Sequence, residues 1–288
     1  MPVPLGSVGS DAYRGTVDLN LTVPGRAASR QIVLTSLDAW QDHFVVNIAA
    51  TIDRADSFWM PAAWRIATDA STSHRPHGGG GGLLHWQWSF EPALPADVSE
   101  LRIHIGADGS RPHQTGALRS EPSVVVRPQR WPPRMRHARA TLDIATELRQ
   151  FDAGPSVGPG PVRPLRVIPV ATTLDHGADR DLHVLSIDTH PTWFLLRVGG
   201  TGPLSFGADE SPDGWATERI RLRWTARDDR GGQYEGLFKS AHSGRGWNVD
   251  ATFVPGLDPA AAALALDMPN PFGAGTVHTA LDLPSAGA

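Results

Sequence analysis

Ser36-Leu-Asp-Ala-Trp-Gln-Asp-His-Phe-Val-Val-Asn-Ile-Ala49 and Ser186-Ile-Asp-Thr-His-Pro-Thr-Trp-Phe-Leu-Leu-Arg-Val-Gly199 align without a gap at an offset of 150 residues. Ser36 meets Ser186, Asp38 meets Asp188 and Phe44 meets Phe194, with apolar residues facing apolar ones in between. A second block repeats at an offset of 163: Phe90-Glu-Pro-Ala-Leu94 matches Phe253-Val-Pro-Gly-Leu257. Leu101, Ile103 and Ile105 then meet Leu264, Leu266 and Met268. Two blocks in the same order point to an internal duplication. The copies are read as 16–127 and 166–284, each of the size of a β-sandwich.

Within each copy, apolar residues alternate with polar ones, the period of a half-buried strand. Val17, Leu19, Leu21 and Val23 form one row, and Ile220, Leu222, Trp224 and Ala226 another. Leu84, Trp86, Trp88 and Phe90 align with Trp247, Val249, Ala251 and Phe253, so both sets are expected to point inward. Gly and Pro make up about a fifth of the 288 residues, against a usual share of roughly 12%. That excess disfavours a helical bundle and favours short strands joined by turns. The expectation is an all-β chain of two tandem, duplicated antiparallel Ig-like β-sandwiches spanning 1–127 and 166–288, with helix almost absent. The stretch 128–165, rich in Pro, Gly and Arg, is expected to be a partly ordered linker.

Asp228-Asp-Arg-Gly-Gly-Gln-Tyr234 is followed by Phe253-x-Pro255 and an apolar strand. This pattern resembles the Ig-like sandwich domains with a D-D-x-G-x-x-Y turn in bacterial extracytoplasmic lipoproteins and anti-sigma-factor proteins. It is also similar to uncharacterised actinobacterial proteins of the same pattern. The resemblance covers mainly the second half of each copy. The first copy departs from it, with Asp69-Ala-Ser-Thr-Ser-His74 at the equivalent turn. The resemblance implies Ig-like sandwiches serving as an adhesive or regulatory module, with no catalytic residues to carry over.

The composition narrows the chemistry. There is no cysteine, which removes disulfides, thiolate nucleophiles and Cys-based metal sites. A net charge of −4 gives no general attraction to nucleic acid. No apolar run reaches the length of a membrane helix. The first residues carry no secretory signal, so a cytoplasmic location is expected, or an extracytoplasmic one if a signal has been removed. Lys239 is the single lysine among 26 basic residues, a bias ascribed to a GC-rich genome.

Candidate sites are few. Gly154-Pro-Ser-Val-Gly158 fits G-x-S-x-G, but prolines surround it where a nucleophile elbow needs a strand and a helix. His74, His77 and His85 flank a run of five glycines, which is expected to be too loose to preorganise a metal. Asp228 and Asp229 read as turn formers rather than as a calcium loop. No cofactor and no metal are expected. Binding residues are sought on outward faces. Arg219, Arg221 and Arg223 alternate with an inward row and are expected to form an exposed basic ladder, with residues about 7 Å apart. Arg197 is outward by the same phase and is expected to extend it. Trp193 is out of phase with Phe194 and Leu196, and is expected to face away from the core unless another layer covers it. The function expected is a non-enzymatic binding or scaffold protein acting on a protein partner, one with an acidic surface fitting the ladder. A carbohydrate-binding protein using exposed Trp is the alternative, and an unrecognised hydrolase the second.

Overall fold

The structure is a computed structural model, and it describes residues 13–24, 31–50, 65–68, 73–81, 85–104, 123–127, 136–143, 163–175, 180–201, 223–243, 247–273 and 275–284. Every regular element among them is a strand. The first half holds β1 (Tyr13–Pro24), β2 (Gln31–Trp40), β3 (Phe44–Ala50), β4 (Arg65–Thr68), β5 (Ser73–Gly81), β6 (His85–Glu91), β7 (Leu101–His104) and β8 (Ser123–Val126). The second holds β9 (Arg136–Asp143), β10 (Arg166–Asp175), β11 (Leu182–Thr189), β12 (Phe194–Gly200), β13 (Arg223–Asp228), β14 (Gln233–Ser243), β15 (Trp247–Val254), β16 (Ala263–Pro269) and β17 (Thr276–Asp282).

These strands do not form two Ig-like sandwiches. The second half is a closed barrel in the order β10-β11-β12-β15-β14-β13-β16-β17-β9, and the first is one eight-stranded sheet, β1-β2-β3-β6-β5-β4-β7-β8. The two quoted blocks occupy the second and third places of each order, as β2–β3 and β11–β12. The barrel closes through β9, which lies within the stretch read as a linker. It runs parallel to β10 (Thr172 opposite Arg136) and antiparallel to β17 (Thr279 opposite Ala140). Closure satisfies the edges that a sandwich leaves open.

Phe44 lies opposite Phe90, and Phe194 opposite Phe253. Each pair stacks inside its half, with centroids 5.3 and 4.8 Å apart. All four rings are fully buried. Leu101 and Ile103 enter the first core, and Leu264, Leu266 and Met268 the second. Alternation survives where one face is wet and is lost where both are covered: β17 alternates buried and more exposed residues, whereas β12 is buried throughout.

The glycine run, expected as a loose loop, is the end of β5. Gly79 stands opposite Trp88 and Gly81 opposite Trp86. Residues without a Cβ opposite two indoles keep the pair from overcrowding. Arg219 and Arg221 lie outside the described residues. Arg223 opens β13 opposite Leu237.

Candidate functional site

β12 shows what the outward faces do. Phe194, Leu196 and Val198 point into the barrel core. The opposite row, Leu195, Arg197 and Gly199, is buried as well, because the first half covers it. A Cβ on Gly199 would come within 3.2 Å of the Trp40 ring. Tyr13, Trp40 and Val45 of the first half pack with Ala171 and Leu185 of the second. Ala171 reaches this contact at a bulge with a left-handed φ of 47°.

Arg197, expected in solvent, is therefore 1% exposed. Its Nη1 donates to Ser186 Oγ at 3.2 Å and Asp188 Oδ1 at 2.9 Å, and its Nη2 donates to Asp188 Oδ2 at 2.8 Å. The Asp250 carboxylate stands 3.6 Å from Nε. Burial alone would lower the guanidinium pKa. Asp188 and Asp250 outweigh that and hold it charged, above its ordinary value. The bidentate fork of an arginine suits such a buried site.

The first half places different chemistry in the same register. Ser36 lies opposite Asn47 as Ser186 lies opposite Arg197. Asn47 Nδ2 donates to Ser36 Oγ at 2.9 Å and Asp38 Oδ2 at 2.6 Å. Thr16 Oγ1 donates to Asp38 Oδ1 at 2.6 Å, and Tyr13 OH bonds Thr16 Oγ1 in turn. Burial raises the Asp38 carboxyl above its usual range, against the pull of Thr16, Asn47 and Arg197. At this patch a hydrogen bond crosses directly between the halves: Gln87 Nε2 donates to Asp250 Oδ1 at 3.0 Å.

Trp193 is likewise covered rather than presented. It is 3% exposed and stacks on His190 with centroids 3.6 Å apart. His85, read as outward, meets it edge-on from the first half. The first half repeats this with the residues exchanged, Trp40 stacking on His43. In both, a backbone hydrogen bond closes the four-residue turn, Trp40 to His43 and His190 to Trp193. Of the six described tryptophans, none is exposed.

The three glycine-flanking histidines separate. His74 is buried edge-on to Phe44, with Nδ1 2.7 Å from the Pro92 carbonyl. His85 lies between the halves, and His77 is exposed, 3.8 Å from Glu91. Among the described residues no three His, Asp or Glu converge as metal ligands.

The Asp228 turn is a lock. Asp228 Oδ1 accepts from the backbone of Arg230 at 2.9 Å and Gly232 at 2.7 Å, and Tyr234 OH donates to Oδ2. Asp229 Oδ1 accepts from Ala262 and Ala263 at 2.9 and 3.2 Å. Gly231 adopts a φ of 92°, which glycine takes at no steric cost.

The remaining feature is an open cleft of about 600 Å³ lined by Asp42, Arg75, Pro76, His77, Glu91 and Pro92. It opens at the strand ends of the first sheet. β5 supplies Arg75 and His77, β6 ends at Glu91, and the turn into β3 supplies Asp42. Arg75 lies opposite Glu91 in the β5–β6 register. Asp42 Oδ1 is 2.6 Å from His43 Nδ1, so one wall is braced by the Trp40–His43 stack. The cleft thus joins two acids, an arginine and a histidine on a β framework. None of the four was singled out from sequence as a charged cleft. Only the strand register, which places Arg75 beside Glu91, assembles them.

No family model matches the chain, and no curated protein matches it. Among solved structures, the chain is similar to "the conserved domain protein from Bacillus anthracis" at 12% identity, over 95% of this chain and 80% of that one, with a TM-score of 0.23. That likeness carries no argument about fold or function. No described helix is long and apolar enough to cross a membrane, which says nothing of strands.

Proposed function

We propose that the chain is a non-enzymatic binding protein that takes a polar polypeptide segment in the cleft of its first half. The observation carrying this reading is the cleft itself, an open space of about 600 Å³ with Asp42, Arg75, His77 and Glu91 on its rim. That size lies in the usual range for ligand sites. The neighbouring acids and bases favour a segment bearing both charge signs, since a ligand of one sign would meet like charge on one wall. Paired strands and the braced Asp42 turn support it as a preformed site.

Selection from a displayed peptide library on the full chain tests this, with counter-selection on an Arg75→Glu/Glu91→Arg variant. The expected result is enrichment of peptides carrying both signs, binding the parent chain but not the variant, and weakening as salt rises. No clone that distinguishes the two chains, with both equally folded, overturns the reading. Cleft-dependent hits on a glycan array, or hydrolysis of a bound peptide, overturn it in favour of a sugar-binding protein or a hydrolase.

A further inference from the structure

The two strand orders part company at one place. In the second half β9 occupies the gap between β17 and β10. In the first half the corresponding neighbours are β8 and β1, which approach each other and, among the described residues, pair with no ninth strand. We infer that the β1/β8 seam is an acceptor for one further strand, supplied by a partner polypeptide of alternating small and charged residues. The inference rests on the binding-protein reading and adds a second, separate contact to it.

The equivalence can be counted residue by residue. β1 carries a bulge between Asp18 and Leu21 with a φ of 37° at Asn20, and β10 one between Pro169 and Thr172 with a φ of 47° at Ala171. β9 pairs with β10 over Thr172–Asp175. Counting from the bulge, the free edge it would meet on β1 is Leu21–Pro24. β9 pairs with β17 up to Thr279, which lies opposite Leu266. The residue opposite Ile103, the counterpart of Leu266, is Val124.

Exposure follows the missing cover. Thr172 is buried and Thr173 half-buried beneath β9, whereas Leu21 is half-buried and Thr22 exposed. At the bulge, an exposed arginine stands where a strand could bond: Arg163 Nη2 donates to the Asn20 carbonyl at 3.1 Å and Nε to its Oδ1 at 3.2 Å. An edge of this kind, unpaired among the described residues, is a template for strand addition. The partner's chemistry is read from β9. Ala138 and Ala140 are turned to the core, and Arg136 and Arg139 are exposed. Small residues fit between two converging strands, and Arg139, on the opposite row, stays wet.

The probe is a synthetic peptide of residues 136–143, Arg-His-Ala-Arg-Ala-Thr-Leu-Asp, added to the full chain and followed by amide hydrogen exchange. The expected result is fast exchange at 21–23 and 123–124 in the free chain and protection there with peptide, but not with a peptide carrying Ala140→Glu. Protection should persist in the Arg75→Glu/Glu91→Arg variant, so loss of the cleft and loss of the seam are read separately. Slow exchange at these amides in the free chain at every concentration overturns the inference, because the chain's own residues then fill the seam. Protection that grows with protein concentration alone overturns it in favour of a second copy. Absence of protection by the peptide, or peptide exchanging only with β9, also overturns it.

Discussion

The halves bury a polar patch at the same register positions and satisfy it by different chemistry. In the first, Asp38 is held by uncharged donors from Thr16 and Asn47. In the second, Asp188 is held by the guanidinium of Arg197, with Asp250 on its other side. A carboxylate out of water needs donors. Burial raises the Asp38 carboxyl and the donors of Thr16 and Asn47 offset this only in part, whereas the second half sets a buried cation between its two acids. The halves face each other across this difference, so neither patch is complete alone.

Removing the cation should break the comparison most severely. Arg197→Met leaves Asp188 and Asp250 buried without their counter-ion, which costs about 3–5 kcal/mol. Asn47→Ala removes a neutral donor and should cost about 1–3 kcal/mol. Urea midpoints of the two variants check the ranking. Adding Asp188→Asn and Asp250→Asn to Arg197→Met should restore most of the loss, and equal costs for the two single variants would remove the distinction between the patches.

Phe90→Ala and Phe253→Ala sharpen the likeness instead. Each deletes one ring of a stacked, fully buried pair, so each should cost about 3–5 kcal/mol by thermal or chemical unfolding. Losses below about 1 kcal/mol at both would show that the two positions are not core equivalents.

The smallest effect expected is on pH dependence. Asp18 lies opposite Ser36 as Pro169 lies opposite Ser186, so only the first half can titrate there. Asp18 is exposed as a residue, yet its carboxyl is pushed up to about 6, first by lost hydration and then by Asp188, with Arg166 opposing. A raised folded pKa means that the native chain holds this proton more tightly than the unfolded one. The stability it contributes is complete below pH 3.8 and is lost as pH rises through about 6. Asp18→Asn should flatten the unfolding midpoint against pH over that window. An unchanged slope would remove Asp18 from the interface electrostatics.

Much of the core was legible because alternation names the face of every strand residue. Phe90, Phe253, Leu101 and Leu264 follow from it directly. Alternation does not say what lies beyond the other face. Arg197 and Trp193 leave the barrel core as the phase requires, but the first half, not water, receives them. A local signal for this exists: Phe194-Leu-Leu and Val184-Leu-Ser-Ile place apolar residues on both faces, the mark of two-sided burial. The Ser-x-Asp kept in both blocks marks the same polar patch. Closure was hidden for a different reason. Ala138, Ala140 and Leu142 alternate as a strand should, but the prolines and arginines before them read as a linker. The cleft depends on cross-strand register, which a single strand's pattern does not contain.

The place of β9 in the barrel also orders events on the ribosome. β9 is synthesised ahead of β10, yet its other neighbour is β17, the last strand. The ring cannot shut until β17 has left the exit tunnel. Until then β12 and β15, which carry Arg197 and Asp250, have no finished barrel to hold them against Asp38 and Gln87. The nascent first half therefore waits with its acid, amide and indole groups wet until β17 completes the barrel they pack against.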